Sequence, residues 1–254
     1  LIDQASTQLM RAGIPEPEAR WDAQLLAADA FLHVAPEQTI DVNRVRVWTA
    51  LQEDISKRLG EQVFRAFQQE YTLLIDRRAA REPLQWIEGS AAFRGLTLHV
   101  GPGVFIPRPG TELVAGAAIQ WLKSQISAHS DQTDQRSSES EMTVVDLCAG
   151  SGAIGLSIAT EIPGVSVICV ENDPTAVRWL NTNVQMVQGH SPSSSVRVAI
   201  ADATSEGLCD QMGIQPGSVE CVISNPPYVP ENQPVMQPEA ARDPAHALYG
   251  GSAD

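Results

Sequence analysis

From Leu1 to about Arg81 the apolar positions recur at spacings of three and four, the period of a helix with one buried face. Ile2, Ala5 and Leu9 mark a first helix, closed by Gly13 and the Pro15/Pro17 break, and Trp21, Leu25, Ala28 and Leu32 mark a second. A long third segment carries Trp48, Leu51, Ile55 and Leu59, then Phe64, Phe67, Tyr71 and Leu74, with a break expected near Gly60. The pattern predicts a small helical domain over residues 1–82 whose aromatic side chains pack inward.

Between Glu82 and Pro109 the period falls to two. Leu96, Leu98 and Val100 alternate after an Arg94-Gly95 turn, with Phe93 on the other arm, so residues 83–110 read as a connecting β-hairpin. Thr111 is a good N-cap for the helix that follows, which carries Leu113, Val114, Ala117 and Trp121. Residues 124–141 hold six serines and no large apolar side chain after Ile126, so nothing there offsets the entropy of ordering and a mobile loop is expected. Strand patterns at 142–147, 165–170, 196–200 and 220–223 then alternate with helical ones at 152–161 and 174–187. Such alternation calls for an α/β fold, a parallel sheet covered on both faces, over residues 111–254.

Composition narrows the function classes. The formal charge is −14, from 17 Lys plus Arg against 31 Asp plus Glu, and a field of that sign repels duplex DNA or long RNA unless a local basic patch overrides it. The one basic cluster, Arg77, Arg78 and Arg81, ends a predicted helix, where cations complement the C-terminal dipole; contact with an acidic partner is the other reading. Cys148, Cys169, Cys209 and Cys221 have no C-x-x-C spacing and read as reduced packing residues, and the five histidines form no H-E-x-x-H, so no metal is expected. No apolar run approaches the roughly 18 residues that span a bilayer, and the chain reads as soluble and cytoplasmic.

The candidate chemistry lies at the strand ends. Asp146-Leu147-Cys148-Ala149-Gly150-Ser151-Gly152-Ala153-Ile154-Gly155 leads out of the first sheet strand into its helix and contains G-x-G-x-x-G, which permits a tight turn and close backbone approach to a nucleotide. Glu171, at the end of the second strand, can accept from both hydroxyls of a ribose. Asp202 ends the third strand, where a carboxylate can accept from an adenine amine or cap a helix; the sequence leaves both open. After the fourth strand comes Ser224-Asn225-Pro226-Pro227-Tyr228. The Asn225 amide and the Pro226 carbonyl can converge on one NH2 group, the prolines fix the backbone, and Tyr228 can lie flat on the planar group so held. Taken alone, the stretch also suits an ordinary Pro-Pro loop with a half-buried tyrosine.

Asp146, the glycine turn, Glu171, Asp202 and Asn-Pro-Pro-Tyr together resemble the class I methyltransferases that use S-adenosylmethionine. A closer resemblance runs through Arg81-Glu82-Pro83-Leu84-Gln85-Trp86-Ile87-Glu88-Gly89, Phe105-Ile106-Pro107-Arg108-Pro109-Gly110-Thr111-Glu112 and Asp243-Pro244-Ala245-His246-Ala247-Leu248-Tyr249-Gly250-Gly251. It is to the release-factor glutamine N5-methyltransferases of the PrmC/HemK type.

The resemblance implies a Rossmann-like class I methyltransferase sheet, a helical substrate-recognition domain before it, and methylation of the Gly-Gly-Gln glutamine of class I peptide-chain release factors. It implies S-adenosylmethionine as cofactor and S-adenosylhomocysteine as product; charge and the lack of a spanning apolar run point to no DNA or membrane partner, and the oligomeric state is left open, with a monomer expected. Asn225, Pro226 and Tyr228 are implied as catalytic, with Pro227 beside them on the substrate. Asp146, Cys148, Ala149, Gly150, Ser151, Gly152, Glu171, Asp202, Ala203 and Asn225 are implied to face the cofactor, and Phe105, Arg108, Thr111 and Glu112 form a second such group. Two positions depart from the family: a glycine is common where Cys148 stands, and a large side chain where Ala203 stands. No histidine is placed by its sequence position to take a proton. Methylation of an exocyclic amine on a nucleic-acid base, and a non-catalytic interaction module, are the competing functions. Because the chain begins without Met and offers no strand after Tyr228, residues are expected to be missing at the start, and a C-terminal part that completes the sheet is expected beyond Asp254.

Overall fold

The computed structural model describes residues 1–36, 55–130, 142–190 and 194–252; expectations resting on Trp48 and Leu51, and on the serine-rich stretch from residue 131 to 141, lie outside the described residues. The chain divides into two compact units, Leu1–Glu88 with Met236–Arg242, and Gly89–Val235 with Asp243–Asp254. The stretch read as a connecting hairpin is shared out between them: its first residues belong with the helices and the hairpin itself with the sheet.

The helical unit contains α1 (Ile2–Arg11), α2 (Glu16–Val34), α3 (Ile55–Ala79) and the short α4 (Leu84–Glu88). Helix α3 breaks at Gly60, whose φ of 73° only glycine adopts without strain. Leu9, Leu26, Phe67, Tyr71 and Leu74 are buried together, and the Tyr71 hydroxyl donates to the Ala23 carbonyl at 2.9 Å. Trp21, expected on the buried face of α2, is exposed. The face turned inward carries Ala19, Ala23, Leu26, Ala27 and Ala30, whose small side chains let neighbouring helices approach closely.

The arginine cluster is consumed inside this unit. Arg77 pairs with Glu82, Arg78 with buried Asp22 and with Glu239, and Arg81 with Glu239. These are specific ion pairs rather than loose complements to a helix end.

The sheet unit opens with the antiparallel hairpin β1 (Ser90–Phe93) and β2 (Leu96–His99), paired from Ser90 opposite His99 to Phe93 opposite Leu96. Arg94 at the turn binds both oxygens of Glu161, and its backbone amide donates to Glu112 Oε1 at 3.0 Å. Helix α5 (Pro109–Ser130) starts at Pro109 and continues past the point where the loop was expected. Proline suits the first turn, where its missing N–H costs nothing.

Then follow β3 (Thr143–Leu147), α6 (Ala153–Glu161), β4 (Ser166–Glu171), α7 (Pro174–His190), β5 (Ser195–Ile200), α8 (Leu208–Met212) and β6 (Cys221–Ser224), with α9 (Ala245–Leu248) near the end. The sheet is parallel in the order β5-β4-β3-β6. Val144, Val167, Cys169, Val196 and Ile223 face one side, packed with Ile119, Leu122, Leu156 and Leu180. Val145, Ile168 and Val170 face the other, with Met212 and Ile214 from α8 and the turn after it. This two-sided burial explains why β3 and β4 read as continuous apolar runs. The chain runs from β3 outward to β5 on one side and returns to β6 on the other. The reversal leaves a crevice at the carboxyl ends of β3 and β6.

Candidate active site

The glycine turn after β3 is bent by Cys148 (φ 57°), Gly150 (φ 57°) and Gly152 (φ 85°). Buried Asp146 holds the start of α6: its Oδ2 accepts from the Gly155 amide at 2.8 Å. A Cβ on Gly155 would lie 2.7 Å from Cys169 Sγ, so only glycine lets α6 sit this close to β4. Asp146 Oδ1 is buried without a hydrogen-bond partner among the described residues, and burial pushes this carboxyl up to about 7. Burial and the nearby Glu171 also raise the Cys148 thiol.

Asn183, fully buried on α7, clamps the turn to the hairpin. Its Oδ1 accepts from the His99 amide at 2.7 Å, and its Nδ2 donates to the carbonyls of His99 and Ser151 at 3.0 and 2.9 Å.

At the end of β4, Glu171 accepts from the amides of Gly150, Asn172 and Asp173. Asp173 caps α7 through the amides of Thr175 and Ala176. Asp202 accepts from both the amide and the hydroxyl of Thr204, which hold its carboxyl below the usual range. One oxygen of Asp202 thus caps the turn at Thr204 and not a helix, since the next helix starts only at Leu208.

At the end of β6 the Ser224 hydroxyl donates to the Leu147 carbonyl at 2.8 Å, extending the β3–β6 pairing to the motif. Asn225 Nδ2 donates to Thr111 Oγ1 at 3.4 Å. Residues 243–251 run alongside: Val229 donates to the Leu248 carbonyl, and Gly250 to the Val229 carbonyl. A Cβ on Gly250 would lie 2.5 Å from the Pro227 carbonyl oxygen. Asp243, buried, pairs with Arg108 and accepts from the Ile106 amide at 3.4 Å, while Arg108 lies 5.0 Å from the centre of the Phe105 ring. Burial raises Asp243 to about 6 although Arg108 pulls it down.

These elements enclose a cleft of about 510 Å³, within the range of small-molecule sites. Asp146, the Cys148–Ser151 turn, Glu171, Asp202, Ala203, Asn225, Pro226, Pro227, Phe105 and Thr111 all line it. Gly152 lies just behind, where a Cβ would strike Leu180 and Leu156. Arg108, Glu112 and Tyr228 are not in the lining: Arg108 holds Asp243, Glu112 holds the hairpin turn, and Tyr228 is 75% exposed. Asn172, Ala247, Gly250 and His246, for which the sequence predicts no role, also line it. His246 Nε2 stands 3.8 Å from Asp173 Oδ2, so a histidine is present at the cleft after all. Its signal was the 243–251 motif, whose contacts with residues 106, 108, 173 and 229 leave no local pattern.

A family model described as Conserved hypothetical protein 95 matches residues 87–241. The chain is 44% identical to the release factor glutamine methyltransferase of Bifidobacterium longum over 257 residues, 100% of this chain and 77% of that protein. It is 36% identical to the release factor glutamine methyltransferase of Mycolicibacterium smegmatis, over 98% of this chain and 73% of that protein. A 32% identical protein of Streptomyces pristinaespiralis, matched over 98% of this chain and 72% of its own length, is named 4-amino-L-phenylalanine/4-methylamino-L-phenylalanine methyltransferase. Likeness of this extent, sustained across nearly the whole chain, makes it a methyltransferase, and it belongs to the release factor glutamine methyltransferase family.

Proposed function

We propose that this chain transfers the methyl group of S-adenosylmethionine to the side-chain amide nitrogen of the glutamine in the Gly-Gly-Gln motif of class I release factors, and that it does so in the cytoplasm. The observation that carries the proposal is that Asn225 and Pro226 line the same cleft as the glycine turn and Glu171.

The residues present fit the cofactor. A Cβ on Gly150 would meet nothing within 4 Å, so the backbone borders open space there, and Asp146 Oδ1, without a hydrogen-bond partner among the described residues, is an unused polar atom beside the cleft. Glu171 keeps acceptor capacity for a ribose hydroxyl, and the Cys148–Ser151 turn, Asn172 and Asp202 line the cleft beside it. When bound, S-adenosylmethionine supplies a methyl group on a positively charged sulfur.

A carboxamide nitrogen is a weak nucleophile because its lone pair is shared with the carbonyl. Asn225 Oδ1 and the Pro226 carbonyl accept its two N–H hydrogens, which favours charge building on that nitrogen and fixes its direction. Tyr228, exposed at the end of the motif, is free to lie on the incoming amide. No strong base is obligatory, since the nitrogen's proton becomes acidic once the fourth bond forms.

Two acceptors for one NH2 also suit an aromatic amine, the group named for the Streptomyces relative. Nucleic acid is disfavoured by the net charge of −14 and by the pairing of Arg77, Arg78 and Arg81. The test is incubation with radiolabelled S-adenosylmethionine and a class I release factor, its Gly-Gly-Gln glutamine present or replaced, with 4-amino-L-phenylalanine in parallel. Label is expected only on the factor that keeps its glutamine. Label on the replaced factor, or on the amino acid alone, overturns the assignment.

A further inference from the structure

Pro226 confines the backbone of Asn225, but nothing inside the motif fixes the rotation that exchanges its Oδ1 and Nδ2. Turned one way, the amide offers the cleft an acceptor; turned the other way, it offers two donors. A donor pair facing an acceptor substrate's NH2 would set donor against donor. The only group outside the motif that engages this amide among the described hydrogen bonds is the Thr111 hydroxyl, which accepts from Nδ2 at 3.4 Å.

We propose that Thr111 is a positioning residue for methyl transfer: by taking Nδ2 of Asn225, it leaves Oδ1 as the atom presented to the substrate's NH2 group. The inference rests on the function proposed above and gives Thr111 a role in orienting the acceptor site rather than in holding the cofactor.

Thr111 is itself well held. Its amide donates to the Arg108 carbonyl at 2.9 Å, and the segment before it is pinned by Asp243 through Arg108 and the Ile106 amide. Its β-branched side chain has few rotamers, so the hydroxyl does not swing freely. A hydrogen bond donated by Nδ2 also polarises the amide and strengthens Oδ1 as an acceptor. The 3.4 Å separation is long for such a bond, and catalytic hydrogen bonds as a class tighten once the substrate is bound.

The test compares Thr111→Val, which keeps the shape and removes the acceptor, with Thr111→Ser, which keeps the hydroxyl. With S-adenosylmethionine and a class I release factor, Thr111→Val is expected to lower kcat about 10-fold, the loss of one ordinary hydrogen bond. Cofactor Kd by calorimetry and Tm should stay at the parent values, and Thr111→Ser should return kcat to within about threefold of the parent. A Val variant at the parent rate, a Ser variant as slow as Val, or a rate loss matched by weaker cofactor binding each overturns the proposal. A readout that needs no turnover separates this failure from failure of the function. The Asn225 side-chain amide resonances, assigned by their loss in Asn225→Asp, should shift in Thr111→Val and hold in Thr111→Ser. If those resonances do not move in Thr111→Val, the contact is absent whatever the enzyme methylates; if they move but the parent enzyme labels no release factor, the function is what fails.

Discussion

Glu171 Oε2 accepts a hydrogen bond from the Gly150 amide at 2.8 Å, while its Oε1 accepts from the Asn172 and Asp173 amides at 2.8 and 2.9 Å. One carboxylate thus joins the turn after β3 to the turn after β4. About four acceptor positions exist on a carboxylate, so roughly one remains for a ligand hydroxyl. Engaging both ribose hydroxyls, as the sequence suggested, requires one of these three contacts to be given up.

Replacing Glu171 with glutamine should therefore weaken the cofactor without unfolding the protein. Whichever way the new amide turns, its NH2 faces at least one backbone N–H. Losing a charge-assisted contact of this kind costs about 1.5–3 kcal/mol, which corresponds to a Kd for S-adenosylmethionine roughly 10- to 100-fold higher in Glu171→Gln. A Kd by calorimetry within threefold of the parent would contradict the role.

Asn225→Ala should behave in the opposite way. On the proposed function the contacts it removes would act on the acceptor, so kcat should fall about 10²–10³-fold, the scale of losing one preorganised polar group. Cofactor Kd should be largely unchanged. Single-turnover transfer at the parent rate would remove Asn225 from the chemistry.

Asn183 makes three hydrogen bonds in a fully buried position, and truncating it strands the amide and carbonyl of His99 and the carbonyl of Ser151. Asn183→Ala should cost about 2–4 kcal/mol, because buried polar groups left unpaired carry their full desolvation penalty. Asn183→Asp, which sets a carboxylate against two carbonyl oxygens, should cost at least as much. Urea denaturation measures this as a lower midpoint at unchanged slope. A midpoint equal to the parent would mean that the hairpin and the glycine turn hold their places without the clamp.

The raised carboxyls give a pH dependence of defined sign. Burial lifts Asp146 from 3.8 to about 7 and Asp243 from 3.8 to about 6. Each native carboxyl holds its proton more tightly than the unfolded one. Their contribution to stability is complete below about pH 4 and is lost as pH rises through 6 for Asp243 and 7 for Asp146. Asp146→Asn removes one such titration. The stability difference between parent and variant should shift in the variant's favour from pH 4 to 7, by at most about 1.4 kcal/mol per pH unit, and level off above. A difference independent of pH would show that Asp146 is ionised throughout.

What the sequence made legible was whatever is written locally. The β3 and β4 runs, the glycine turn and Glu171 are contiguous patterns, and the parallel sheet follows from their order. Helix α8 went unread because five residues hold too little periodicity. Thr111 looked like an N-cap because Ser and Thr usually are, yet α5 starts at Pro109 and the Thr111 hydroxyl serves Asn225, 114 residues away. Asp243 and His246 were visible as part of a motif, but their partners Arg108 and Asp173 are brought together only by the fold. The Thr204 contact that occupies Asp202 lies two residues away and was within reach of local reasoning.

Cys148 stands at φ 57°, a conformation in which a Cβ crowds the backbone at a cost of about 1–2 kcal/mol. Glycine removes the crowding but gives back about 0.5–1 kcal/mol through the freer unfolded chain. Cys148→Gly should therefore stabilise the protein by roughly 0.5–1 kcal/mol, raising Tm by a few degrees at most. Because the Cys148 side chain lines the cleft, the same change should also alter cofactor Kd, whereas a stabilising substitution remote from the cleft should not. Thermal melts with and without S-adenosylmethionine separate the two effects. A lower Tm in the ligand-free Cys148→Gly protein would mean that the thiol's packing outweighs the backbone strain.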